Sequence, residues 1–294
     1  MATNVWLGND SGNEGKWQTA ANWSLAHVPI NGEDIVFEDS SQSVTADFDQ
    51  SAVTPNSLTV SQSFTGEIGD ADEYLVIGTP TRVDIGEHYG HGTPRGSNRL
   101  KLDLRNASAT GTITIHNSSV TSTDTNDPPI QLLIAGAGIT LNVRKGKAGV
   151  AVRADQTSSL GTLNITYVTA READADVVIG PGVTLTTVNQ MGGRCVLQAA
   201  ATTINLDAGT MRTEGAGAVG TIAAEGGKLI ANSRGTITLL EAYGAACDFL
   251  QSAEARTVIT LRYEDAGSIA FDPGVLTVGT WSPQKATRMS LSAA

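Results

Sequence analysis

His88 and His91 stand three positions apart with Asp84 and Glu87 just upstream, the one cluster in the chain whose residue types could be drawn as a metal site. Imidazole and carboxylate do bind zinc-like cations, but an H-x-x-H spacing on a loop fixes neither the geometry nor the remaining ligands. The run 85–99 reads Ile-Gly-Glu-His-Tyr-Gly-His-Gly-Thr-Pro-Arg-Gly-Ser-Asn-Arg, too Gly-rich for regular structure. A solvated or partner-facing loop is therefore the simpler reading of His88, Tyr89, His91 and Arg95. A second chemistry would be cleavage of an acidic polysaccharide, for which Asp174, Asp176, Arg194, Arg212 and Glu214 are the available charges. Glycoside hydrolysis needs two carboxyl groups about 5–10 Å apart across a cleft. A single sequence cannot place two side chains on one cleft, and aromatic residues, the usual sugar platforms, make up only 5% of the chain.

Other signatures are absent. There is no G-x-x-x-x-G-K-[ST] phosphate loop, no G-x-S-x-G elbow and no H-E-x-x-H. Gly136-Ala-Gly138 leads into a strand-like Ile-Thr-Leu, whereas dinucleotide binding needs a strand followed by a helix. Asn22, Asn106, Asn117 and Asn164 each begin an N-x-[ST] triplet, as a Ser- and Thr-rich chain produces by chance. The expectation is a protein that is not an enzyme, with no catalytic residues, no metal and no cofactor.

The elements that would position any site are strands. Gly111-Thr-Ile-Thr-Ile115, Gly138-Ile-Thr-Leu-Asn-Val143, Gly161-Thr-Leu-Asn-Ile165, Gly182-Val-Thr-Leu-Thr186, Thr202-Thr-Ile-Asn-Leu206 and Gly235-Thr-Ile-Thr-Leu239 repeat one theme, a turn followed by alternating β-branched residues. Their starts lie roughly 15 to 30 residues apart, a solenoid period. Alternation puts Ile113 and Ile115, or Leu163 and Ile165, on one face and the intervening Thr and Asn on the other. Weaker strands at 176–179, 194–198, 210–213, 219–223 and 228–231 fit between them, two or three to a turn. The best helical window, Leu239 to Ser252, is interrupted by Gly244. The reading is an all-β fold, a parallel β-helix (β-solenoid) with an N-terminal cap segment. Residues 1–50 form the Trp-rich cap or attachment segment, 51–281 the solenoid body, with its regular part from about Gly111 to Trp281, and 282–294 a C-terminal tail.

Trp6, Trp17 and Trp23 fall within the first forty residues. They fit either the core of a cap over the first rung or a partner-binding patch. Trp281 near the other end would close the last rung or dock on a partner. The net charge of −11, dispersed beside turns, argues against nucleic acid or an anionic membrane as partner. Cys195 and Cys247 match no zinc or redox spacing and read as buried free thiols, with a bridge between turns as the alternative. The first residues lack the basic and apolar regions of a secretory signal, and no apolar run approaches the roughly 18 residues of a membrane span.

Trp6-Leu-Gly8, Trp17, Asn22-Trp23-Ser24, Val28-Pro29, Gly32-Glu-Asp34 and Val36-Phe37 resemble the opening of repeat-rich bacterial surface proteins and related phage-encoded proteins, in which W-x-G, N-W-S, P-x-x-G-D and V-x-F precede β-solenoid turns. The resemblance implies an extracellular or virion-surface structural role and carries no catalytic residues. A compact chain without a signal looks more like the phage members. It implies a capsid decoration or head-surface protein, made in the host cytoplasm and placed on the virion surface. The implied partners are the major capsid protein or other virion proteins and further copies of the chain, as a trimer or dimer. Trp6, Trp17, Trp23, His88, Tyr89, His91, Arg95 and Trp281 are the residues offered for such contacts. Two alternatives stand beside it: a tail fibre or adhesin binding a host-surface glycan, and a polysaccharide lyase or hydrolase built on a β-helix.

Overall fold

The computed structural model describes residues 2–70, 72–87, 99–106, 110–118, 127–166, 175–264 and 267–283. The fold is all-β. Its strands join one hydrogen-bonded sheet of 21, and a single 3-10 turn, Ala20–Asn22, is the helical element among the described residues. The window from Leu239 to Ser252 is not helical. It holds the strands Ile237–Ala242 and Ala246–Asp248, because Leu240, Ala242 and Cys247 alternate inward and Gly244 turns the chain between them.

Among the described residues every pairing between strands is parallel, and strands generally pair with the one two places on in the chain. Two ladders result. One runs from Thr3–Trp6 through Asp34–Phe37, Ser57–Ser61 and onward to Leu276–Pro283. The other passes through Leu75–Ile77, Leu100–Leu104 and the start of Ile130–Val143, and ends at Ser268–Ala270. Long strands belong to both. Val183–Leu197 and Ala200–Thr213 each carry one half into either ladder, with the register shifting between Gln190 and Arg194. Gln190, fully buried at this corner, donates its amide to the carbonyls of Gly192, Gly193 and Thr210, so polar backbone at the bend is satisfied from inside.

Sequence alternation becomes burial alternation. Ile35, Leu58, Val83, Ile113, Leu141, Leu163, Val188, Ile204, Ile222, Leu240 and Leu261 pair successively and point into the core, all within a few per cent of full burial. Burying such a side chain contributes about 1.5–3 kcal/mol, so a column of this length supplies much of the drive for ordering the strands. The parallel pairing is not confined to residues after Gly111. It starts at Thr3, since Asp34, Ile35, Val36 and Phe37 alternate as regularly as the later repeats, and the Trp-rich segment is continuous with the rest of the sheet.

That first strand has its outer edge covered. Ser24 donates its N–H to the Val5 carbonyl, the Ser24 hydroxyl accepts from Val5 N–H, and Leu7 N–H reaches the Asn22 carbonyl. Trp6, Trp17 and Trp23 lie at 0–1% exposure, so they form core here and present no surface to a partner. Trp23 meets Trp17 at 4.6 Å and Trp6 at 5.1 Å between ring centroids, both edge to face. The other end is less covered. Trp281 continues the inward column after Leu261 and packs on Phe271 and Tyr263, yet remains 37% exposed.

Cys195 and Cys247 occupy one inward column with Met211 and Leu229 between them. Three strand spacings amount to about 14 Å, twice the roughly 7 Å that a disulfide can span between Cα atoms. Both are free and buried, and burial pushes each thiol up to about 12. A thiol-specific chromogenic reagent at pH 8 should therefore find neither cysteine in the native protein and both after unfolding. Because the folded pKa lies above the unfolded value of about 8.5, the unfolded chain ionises first, and stability should fall as pH rises past that value. One fast native equivalent of thiol would disprove this burial.

Candidate functional site

The residues expected to carry chemistry are dispersed. His88, Tyr89, His91, Arg95 and Asp174 lie outside the described residues. Asp84, their neighbour, is already engaged: it accepts from His116 Nε2 at 2.9 Å and from Arg82. Asp176 and Arg194 sit opposite each other on adjacent strands, whereas Arg212 pairs with Glu214 two residues along at 2.6 Å. The register brings two of the charges offered for polysaccharide cleavage into one column, while two others pair with each other along one segment. Among the described residues no group of three His, Cys, Asp or Glu converges as a metal site.

A different place gathers polar groups around a cavity. Asp49, Val76, Asp103 and Leu133 pair successively along the second ladder and line a cleft of about 810 Å³. Because neighbouring strands lie about 4.8 Å apart, the four rungs extend about 14 Å. Turns beside these strands add Phe48, Tyr74 and Arg105, and the turn after the next strand of the ladder, Lys147–Val150, adds Arg153 and Asp155. Tyr74 is fixed by two amides: its hydroxyl donates to Gln131 Oε1 at 2.8 Å and accepts from Gln156 Nε2 at 3.0 Å. Lys101 Nζ sits 5.9 Å from the ring centroid, within reach of a cation–π contact. Burial raises the Tyr74 pKa, and burial lowers that of Lys101.

The charges of the cleft come in pairs. Arg105 grips Asp103 in bidentate fashion at 2.9 and 2.7 Å, and Arg153 joins Asp72 at 2.8 Å and Asp155 at 3.4 Å. Arg153 holds the Asp155 carboxyl below its ordinary range, and the Asp103 carboxylate raises the Arg105 pKa further. An acid catalyst for glycoside cleavage needs the opposite shift, a carboxyl kept protonated near neutral pH. Ion-paired carboxylates and guanidinium groups instead offer fixed hydrogen-bond acceptors and donors to hydroxyl groups.

On the first ladder, outward Asn142, Asn164, Asn189 and Asn205 form an amide ladder. Each Nδ2 donates to the Oδ1 of the preceding Asn, at 2.8, 2.8 and 2.7 Å. The threonines two residues earlier, Thr140, Thr162, Thr187 and Thr203, form a parallel column. The amide ladder also borders a smaller groove of about 470 Å³ with Met191, Asp207 and Glu225. Its bonds run along the sheet from strand to strand, which makes it first of all a fastening for the register.

Sequence reading missed the cleft because its parts are remote in the chain: Arg153 and Asp72 are 81 residues apart, and Tyr74 and Gln156 are 82 apart. The local trace was an Arg and an acid separated by one residue. In a strand or extended turn those side chains share a face, as Asp103 and Arg105 do. Comparison with protein-family models, with curated proteins and with solved structures finds no match for the chain.

Proposed function

We propose that the chain coils as a right-handed parallel β-solenoid and acts as a non-enzymatic structural protein of a virion surface, as a capsid decoration or head-surface protein. The observation that supports this reading is parallel pairing that continues from Thr3 to Pro283 around one shared hydrophobic core. Such stacking gives a stiff body, because each rung is hydrogen-bonded to the next and shares its core. A structural role asks for rigidity and an attachment surface, and the covered N-terminal edge with its buried indoles supports a body that does not add strands at that end. The placement on a virion rests on the resemblance of the Trp6–Phe37 segment. In that setting the major capsid protein or other virion proteins are the partners, and copies associate as a trimer or dimer.

The test is made on two levels. Small-angle scattering of the isolated protein should give an elongated particle, and a compact spherical profile would remove the solenoid. Quantitative proteomics of purified particles from the source should find many copies per capsid, with rod-like density at the surface. Recovery only as a soluble cytosolic monomer would remove the virion role while leaving the fold untouched.

A further inference from the structure

We propose that the cleft across the second ladder, between Phe48, Tyr74, Arg105 and Arg153, binds a neutral linear oligosaccharide. The inference goes beyond the structural role and does not depend on where the chain is mounted.

Shape comes first. A cleft of about 810 Å³ lies within the range of ligand sites, and its extent over four strands, about 14 Å, suits a chain of several sugar units better than one small molecule. Next comes the lining. Two aromatic rings, Phe48 and Tyr74, are half-buried against the core beneath the cleft, and Tyr74 is locked by Gln131 and Gln156, so its ring pays little ordering cost on binding. Aromatic faces and hydroxyl-seeking polar groups together match the two sides of a sugar ring, one C–H rich and one hydroxylated.

Charge narrows the class. Carboxylates from Asp47, Asp49, Asp72, Glu73, Asp103 and Asp155 outnumber the guanidinium groups of Arg105 and Arg153 around the cleft. An acidic polysaccharide or a nucleic acid would meet net repulsion. A cationic peptide would be attracted, but three of the six carboxylates, Asp72, Asp103 and Asp155, are already held by arginine. Breaking those pairs to admit lysines would expose two guanidinium groups to the incoming charge. Hydroxyl groups can instead use the free lone pairs of a paired carboxylate and the outer N–H groups of the arginine without separating them.

Isothermal titration of the full chain with cellohexaose and chitohexaose, and with trigalacturonate and hexalysine as comparators, tests this. At least one neutral probe should bind, with trigalacturonate and hexalysine at least tenfold weaker. Tyr74→Ala should weaken the neutral probe at least tenfold. Arg153→Ala, changed at a half-exposed side chain on the rim, should weaken it at least threefold with an unaltered melting temperature. Thr221→Ala, on the other ladder, should leave it unchanged. The proposal fails if neither neutral probe binds, if hexalysine or trigalacturonate binds more tightly than both, or if the folded Arg153→Ala protein binds as the parent does.

Discussion

Trp23→Ala is expected to cost about 3–5 kcal/mol of stability, the range for removing a fully buried indole from a core that cannot collapse around the gap. Trp23 is 1% exposed, meets Trp6, Trp17 and Phe37 within 6.0 Å between centroids, and donates its indole N–H to the Trp17 carbonyl at 2.8 Å. Its backbone also takes part in covering the edge of Thr3–Trp6, through an antiparallel bridge to Trp6. The loss should thus have a second sign. As the covering segment loosens, the freed edge presents unpaired N–H and C=O groups, and light scattering should rise with protein concentration. Trp281→Ala serves as the comparison: the ring is already 37% exposed, so its removal should cost well under half as much. Guanidinium unfolding followed by circular dichroism gives both numbers. Equal losses at the two tryptophans would mean that the N-terminal cluster does not anchor that end of the sheet.

The difference between these two ends shows what the amino-acid pattern could and could not convey. Alternation at Ile113 and Ile115 or Leu163 and Ile165 was readable because strand geometry imposes a period of two wherever one face is buried, and those residues are buried as expected. Register was less readable. The expected units beginning at Gly182 and Gly235 are strands, but Val183 pairs with Ser158, and the rung equivalent to Leu163 is Val188. The triplets Thr140-Leu-Asn142, Thr162-Leu-Asn164, Thr187-Val-Asn189 and Thr203-Ile-Asn205 mark the positions that pair from strand to strand. Glycine marks any tight turn, whereas an amide ladder requires one particular column. Trp6, Trp17 and Trp23 admitted both a core and a surface reading, since a large amphipathic ring serves either, and only their burial separates the two.

The cleft was illegible for a different reason. Side chains 81 residues apart become neighbours only after the intervening turns have set which rungs are adjacent, and turn lengths vary: successive asparagines of the ladder are 22, 25 and 16 residues apart. What could be read was the local half of each ion pair, Arg82 with Asp84, Asp103 with Arg105, Arg153 with Asp155 and Arg212 with Glu214. Those pairs mark faces that point to solvent. They do not say which of the faces carries the cleft.

Gly209→Ala should be as damaging as the loss of Trp23, for a reason that belongs to the backbone. Gly209 bends the chain between the two ladders at a φ of +82°, in the left-handed region where an added Cβ costs roughly 1–2 kcal/mol. That cost alone would be tolerable. The Cβ would also lie 2.6 Å from the carbonyl carbon and 2.7 Å from the carbonyl oxygen of Gly192 and would overlap the Gly193 oxygen, all of them backbone atoms of the preceding corner. Gly227 repeats the arrangement on the next rung, with a φ of +71° and its own absent Cβ against the Gly209 oxygen. A side chain at Gly209 therefore has no flexible neighbour to displace. It must push one rung from the next where Gln190 already fills the inside of the bend, adding about 1–3 kcal/mol of overpacking. The sum, about 2–5 kcal/mol, can be separated by experiment. Gly12 has a similar φ of +87° with open space around its missing Cβ, so Gly12→Ala should show the conformational part alone, near 1 kcal/mol. Guanidinium unfolding of both variants measures the difference. If Gly209→Ala costs no more than Gly12→Ala, the corners are not in close contact and the glycine column does not set the spacing between rungs. If it costs at least 1 kcal/mol more, the bend admits no side chain, and the distance between neighbouring rungs is held by backbone packed directly on backbone.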